Sequence, residues 1–203
     1  MTAQRLKFAP SPAPEPDETD GRRRRSQDSR ARIVAAMLEL VHAGDVSPGA
    51  EQVAARAGVG LRTVFRHFND MDSLYSEMAQ VIEAEVRSVI DSPFAGETWR
   101  DRVVELVNRR SAVFEKIAPF KRASDIHRHQ SNFLQTSHER LISISREILK
   151  RELPAELARD HVTFETLDLL LSFETWSRLR RDQALTPRRA RELLEQAVRK
   201  MIG

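Results

Sequence analysis

GVGLRTVFRHF, residues 58–68, sets two glycines around a valine and follows them with seven helix-compatible residues. A glycine suits the left-handed exit of one helix, and the run from Leu61 to His67 gives another of about two turns. Upstream, SPGAEQVAARAG (47–58) supplies the partner. Ser47 suits a cap, Pro48 the first helical position, and Ala54, Ala55, Ala57 and Gly58 a close helix crossing. Val53, Val59, Val64 and Phe68 have the spacing to plug into neighbouring helices. Two helices joined by a tight glycine turn, the second short, form a helix-turn-helix. Its outer face (Leu61, Arg62, Thr63, Arg66 and His67) is what a DNA major groove receives. Ordinary packing of a helical hairpin is the competing reading, because alanine and glycine occur at many crossings.

Charge agrees with the first alternative. Net charge over the 203 residues is only +3, which excludes a globally basic, histone-like binder. Between Glu51 and Asp70, however, no acid interrupts Arg56, Arg62, Arg66 and His67. Arg22, Arg23, Arg24 and Arg25 make a second basic spot, which reads either as a solvated tail or as an arm on DNA phosphates or in a minor groove. Residues 1–28, with the proline-rich acidic PSPAPEPDETDG, have little to bury and are expected to be disordered.

From Ser29 onward the apolar period is helical. Ile33, Met37, Leu40 and Val41 mark a first helix; Leu74, Met78, Val81, Ile82 and Val89 mark a fourth, after a cap at Asn69 or Asp70. Further helical patterns fall at about 97–117, 120–129, 131–152, 155–182 and 187–202, with breaks assigned to Pro119, Ser131, Pro154 and Pro187. No segment alternates like a strand. The expectation is an all-α chain of about nine helices: residues 29–75 as an N-terminal three-helix DNA-binding unit, and 76–203 as a helical ligand-sensing and dimerisation unit.

EQVAARAGVGLRTVFRHFNDMDSL (51–74) resembles the DNA-binding domain of the tetracycline-repressor (TetR) family of bacterial regulators. The likeness lies in the Ala-Gly-Val turn, in Thr63 followed by an apolar residue and an aromatic, in Arg66-His67-Phe68, and in Leu74. It covers about residues 29–75; beyond them only length and helical layout agree. The resemblance implies that Leu61, Arg62 and Thr63 meet base edges, with Arg62 forking onto a guanine. It implies that Thr63, Phe65 and His67 approach phosphates, and Ser47 with the first amides of its helix another. Three positions depart from the pattern: Phe65 replaces a common Tyr, Gly60 a capping Ser or Thr, and Met71 a phosphate-binding Lys.

The same resemblance implies a dimer formed by the last two long helices, with Leu167, Leu171, Trp176, Leu179, Leu194, Val198 and Met201 as its seam. It also implies a cavity for a small, largely apolar effector. Candidate lining residues are Trp99, Phe114, Phe133 and Phe173, with Asn108, His127 or His138 as polar anchors. A double-stranded operator, an unknown effector and a second copy are the expected partners; a soluble cytoplasmic location is expected because no apolar run nears the roughly 18–20 residues of a span.

Catalysis and metal binding are not expected. The chain has no cysteine, and no phosphate loop, nucleophile elbow or helical zinc motif occurs. Asp125 and His129 stand four apart, but no third ligand is indicated. No cofactor is expected. The rival readings are a ligand-free DNA binder whose C-terminal helices hold a protein partner, and a helical enzyme that only resembles the family.

Overall fold

The structure, a computed structural model, describes residues 18–203. The proline-rich segment as far as Asp17 lies outside the described residues. Among them there is no strand, and the fold is all-α. Helix α1 spans Glu18–His42, α2 Ala50–Ala57, α3 Leu61–His67, α4 Met71–Asp91 and α5 Trp99–His127. After a 3-10 turn at Arg128–Gln130 come α6 Asn132–Glu152, α7 Ala155–Arg159, α8 His161–Leu170 and α9 Phe173–Ser177. A π turn at Arg178–Asp182 precedes α10, Pro187–Ile202.

Three boundaries differ from the sequence expectation. Helix α1 begins at Glu18, not near Ser29, so Arg22–Arg25 lie on a helix; arginine is a strong helix former and nothing after Gly21 interrupts the run. Pro119 does not divide α5, because Val113, Phe114, Ile117 and Ala123 are buried on both sides of it and packing overrides its local cost. Conversely, 155–182 is not one helix. Asp160 caps α8 by accepting from Val162 N at 3.3 Å, and Ser172 Oγ caps α9 by accepting from Thr175 N at 3.1 Å.

Helix α1 packs on α2, α3, α4 and α5, closing a small head. Ile33, Met37, Val53, Val64, Phe68, Leu74 and Met78 fill that head and are essentially inaccessible. Helix α5 is the axis of the remainder, contacting α4, α6, α9 and α10. Helix α4 leads from one part to the other, capped by Asp70 Oδ1 accepting from Ser73 N at 2.8 Å.

The residues expected to form a dimer seam need correction. Leu167, Leu171, Trp176, Leu179, Leu194 and Val198 are buried in this single subunit, from 0 to 6% exposed, and only Met201 is partly accessible. Helix α10 lays its apolar stripe on α5 and α8, so those side chains are used within the subunit. Arg110 reinforces this by donating to the Leu171 carbonyl at 3.0 Å and to that of Ser145 at 2.6 Å. On α8 and α10 the large apolar residues left exposed are Val162, Leu169 and Leu193, at 72, 63 and 45%.

Candidate nucleic-acid interface and internal cavity

The turn between α2 and α3 is built as its residues require. Gly58 holds φ +63°, the left-handed region that lets α2 end abruptly. Its amide donates to Ala55 O at 3.2 Å, and that of Val59 to Ala54 O at 3.0 Å. The start of α2 differs from expectation. Gly49 is the cap position, its amide donating to Gln52 Oε1 at 2.7 Å, whereas Ser47 is an exposed residue whose amide is held by Asp45 Oδ1. Helix α3 follows Gly60, which gives it no side-chain cap.

Two faces of α3 are cleanly separated. Val64 and Phe68 are 1 and 2% exposed and lock the helix to the head. Leu61, Arg62, Phe65 and Arg66 are exposed, with Thr63 half-buried beside them. Among the described residues, Arg62 and Arg66 pair with no carboxylate, so both guanidinium groups are available. Arg56 does pair, 3.5 Å from Glu39.

His67 departs from its expected role. It is half-buried, its Nε2 is enclosed without a partner, and burial, then Arg66 and Arg30, hold it below the ordinary imidazole range. A neutral ring with an enclosed nitrogen is poorly placed to reach a phosphate. The basic face of α3 therefore reduces to Arg62 and Arg66.

Arg30, which sequence reading passed over, positions that face. From α1 it donates to the His67 carbonyl at 2.6 Å, forks onto Glu77 of α4, and stacks 4.4 Å over the Phe68 ring. One guanidinium thus ties three helices together. Arg30→Met is expected to weaken DNA binding by roughly 1 kcal/mol, discounted for its partial exposure. Because the clamp supports the whole of α3, the loss should be similar on preferred and unrelated duplexes. Fluorescence anisotropy on both checks this.

Arg23, Arg24 and Arg25 are exposed on the first turns of α1, and Arg25 Nε donates to Gly21 O at 3.1 Å. Changing Arg22, Arg23, Arg24 and Arg25 to Gln should flatten the salt dependence of DNA binding, by up to about 0.9 in logarithmic slope per lost phosphate contact. A slope unchanged across three salt concentrations would remove this segment from the interface.

Above the head, α4, α5 and α6 line a partly open cavity of about 280 Å³. Of the candidate lining residues, only His138 faces it. Phe114 and Phe173 meet edge to face at 5.6 Å in the core, and Phe173 also borders a smaller hollow beside α9. Trp99 lies under the Arg100 guanidinium, 4.4 Å away. The Asn108 backbone carbonyl accepts from Ser111 Oγ, Phe133 is 36% exposed, and the His127 ring packs at a tilt against Tyr75, 4.8 Å away. The aromatic residues fill space; the cavity arises where aliphatic chains of three helices do not meet.

Two contacts join this region to the head. His42, at the end of α1, stacks 5.8 Å from Phe120, which lines the cavity. Tyr75, one turn into α4, packs against His127, next to the lining residue Arg128. The Tyr75 hydroxyl is enclosed, and burial, then Asp45, raise its pKa to about 12. His129 is exposed, and among the described residues no cluster of three or more potential metal ligands occurs.

No family model and no curated protein matches the chain. Solved structures are. A candidate transcriptional regulator of Streptomyces coelicolor A3(2) superposes with a TM-score of 0.59 at 23% identity, covering 85% of this chain and 97% of its own. A transcriptional regulator of Rhodococcus sp. Rha1 gives 0.57 at 18% identity, covering 86 and 94%. Identities this low show a shared fold. No helix among the described residues is long and apolar enough to cross a membrane.

Proposed function

We propose that this chain is a ligand-responsive, DNA-binding transcriptional regulator of TetR type, a repressor that binds a palindromic operator as a homodimer. The observation that carries the reading is the two-sided α3: Val64 and Phe68 anchor it while unpaired Arg62 and Arg66 stand outward beside Leu61 and Thr63. One short helix reads few base pairs, so two half-sites are needed for useful specificity. Val162 and Leu169 of α8, with Leu193 of α10, supply the apolar dimer face. The effector occupies the cavity between α4, α5 and α6. It acts through α4 and through the His42–Phe120 and Tyr75–His127 ring contacts, altering the spacing of the two reading helices. The cavity favours this reading over a ligand-free DNA binder with a protein partner.

Selection of genomic fragments on the purified protein, followed by footprinting, tests the proposal. The retained fragments are expected to share an inverted repeat; fragments with no common sequence would overturn it. Linkage adds a second condition. An effector that releases the operator must bind the operator complex less tightly than the free protein, by about 5–150-fold. Calorimetry with and without operator reads this, and equal affinities would mean that the cavity is not a switch.

A further inference from the structure

The charges lining the cavity specify more than an apolar ligand. Its walls are aliphatic, with Met78, Ile82 and Val86 from α4, Ile117 from α5 and Leu141 from α6. On the lining from α4 and α6, Glu83 and Asp91 are matched in number by Arg87 and Arg140. At the C-terminal end of α5 the balance fails. Lys121 Nζ donates to Asp125 Oδ1, and Arg128 Nε lies 3.7 Å from the same oxygen, so two cations share one carboxylate. The Lys121 side chain is only 9% exposed, which leaves little water to screen the surplus.

Unused hydrogen-bonding groups lie at the same corner. Arg128 Nε and His138 Nδ1 are enclosed and make no hydrogen bond among the described residues. Burial, then Lys121 and Arg128, hold His138 below the ordinary imidazole range against the opposing pull of Asp125 and Glu174. The ring is thus neutral near pH 7 and has one N–H to donate. Enclosed polar groups without a partner are costly unless a ligand meets them.

We propose that the cavity takes an amphipathic monoanion, an apolar body bearing one carboxylate, with its headgroup held by Lys121, Arg128 and His138. This rests on the effector reading of the cavity and names the class of molecule. At about 280 Å³ the space is just below the roughly 300–1,000 Å³ typical of small-molecule sites, so the body is small. The aliphatic walls receive the body, and the headgroup offsets the one cation by which Arg87, Lys121, Arg128 and Arg140 outnumber Glu83, Asp91 and Asp125 on the lining.

Three probes with one tail and different heads test this: octanoate, 1-octanol and octylammonium, titrated calorimetrically into the full-length protein. Octanoate is expected to bind about tenfold or more tightly than 1-octanol, and octylammonium more weakly than either. In the Lys121→Met, Arg128→Met double variant the preference for the acid should fall to within about threefold, with 1-octanol affinity retained. Octanol binding as tightly as octanoate to the unaltered protein would overturn the anion assignment and leave the effector reading standing. A double variant that folds and keeps the full preference would overturn the headgroup site. Failure of all three probes to bind would count against the proposed ligand class and the effector cavity together.

Discussion

Replacing Leu171 and Leu194 together by Glu will abolish cooperative folding of the helices beyond α4. Both leucines are buried within one subunit, 2 and 4% exposed. Each substitution removes apolar burial and puts a carboxylate into an apolar, water-poor site, at roughly 4 kcal/mol or more per site. Two such losses reach or exceed a domain stability of about 5–15 kcal/mol. Far-UV circular dichroism should show lost helix and a broad or missing melt. The contrasting pair is Leu169→Glu with Leu193→Glu, at positions 63 and 45% exposed. That variant should keep the parent's helix content and a cooperative melt, and by sedimentation it should be a monomer if α8 and α10 form the dimer face. A folded Leu171, Leu194 double variant would contradict the packing of α8 and α10 on α5.

Arg62→Ala will cost base discrimination more than general affinity. Arg62 stands at the second position of α3, exposed and free of any carboxylate among the described residues, where a guanidinium fork meets the edge of a guanine. The expected loss is roughly 1–3 kcal/mol per half-site on the preferred sequence, with little change on unrelated duplexes. Anisotropy on operators altered one base pair at a time should show a single position per half-site at which the variant no longer discriminates. A uniform loss on every sequence would assign Arg62 to a phosphate. Its profile differs from that of Arg30→Met, which loosens α3 as a whole.

The N-terminal head is legible in the sequence because its information is local. Ala54, Ala57 and Gly58 allow the crossing, and Val64 and Phe68 recur at helical spacing, all within a short stretch of chain. The C-terminal helices are legible as elements but not as surfaces. Periodicity identifies Leu167, Leu171, Leu194 and Val198 as buried, yet burial by α5 and burial by a second subunit leave the same pattern.

Local breakers mislead in both directions. Pro119 is the stronger sequence signal but sits within α5, whereas Asp160 and Ser172 end nothing visibly and cap two new helices. Ser172 followed three residues later by Thr175 is a sequence signal for the second cap, but the helical apolar period continues across it. The cavity was the least legible feature, since aromatic content marks material that fills space. A usable hint lay in α6, where Leu134, His138, Leu141 and Ile144 repeat at helical spacing around a single titratable group.

The central claim is that α3 reads DNA sequence. The most direct test is a titration of the protein against its footprinted operator and against a scrambled duplex of equal length and composition, at two salt concentrations. Sequence reading by α3 predicts at least about a 1,000-fold preference for the operator near physiological salt. It also predicts that added salt weakens both duplexes through their phosphate contacts. Equal affinity for the two duplexes at both salt concentrations would contradict it.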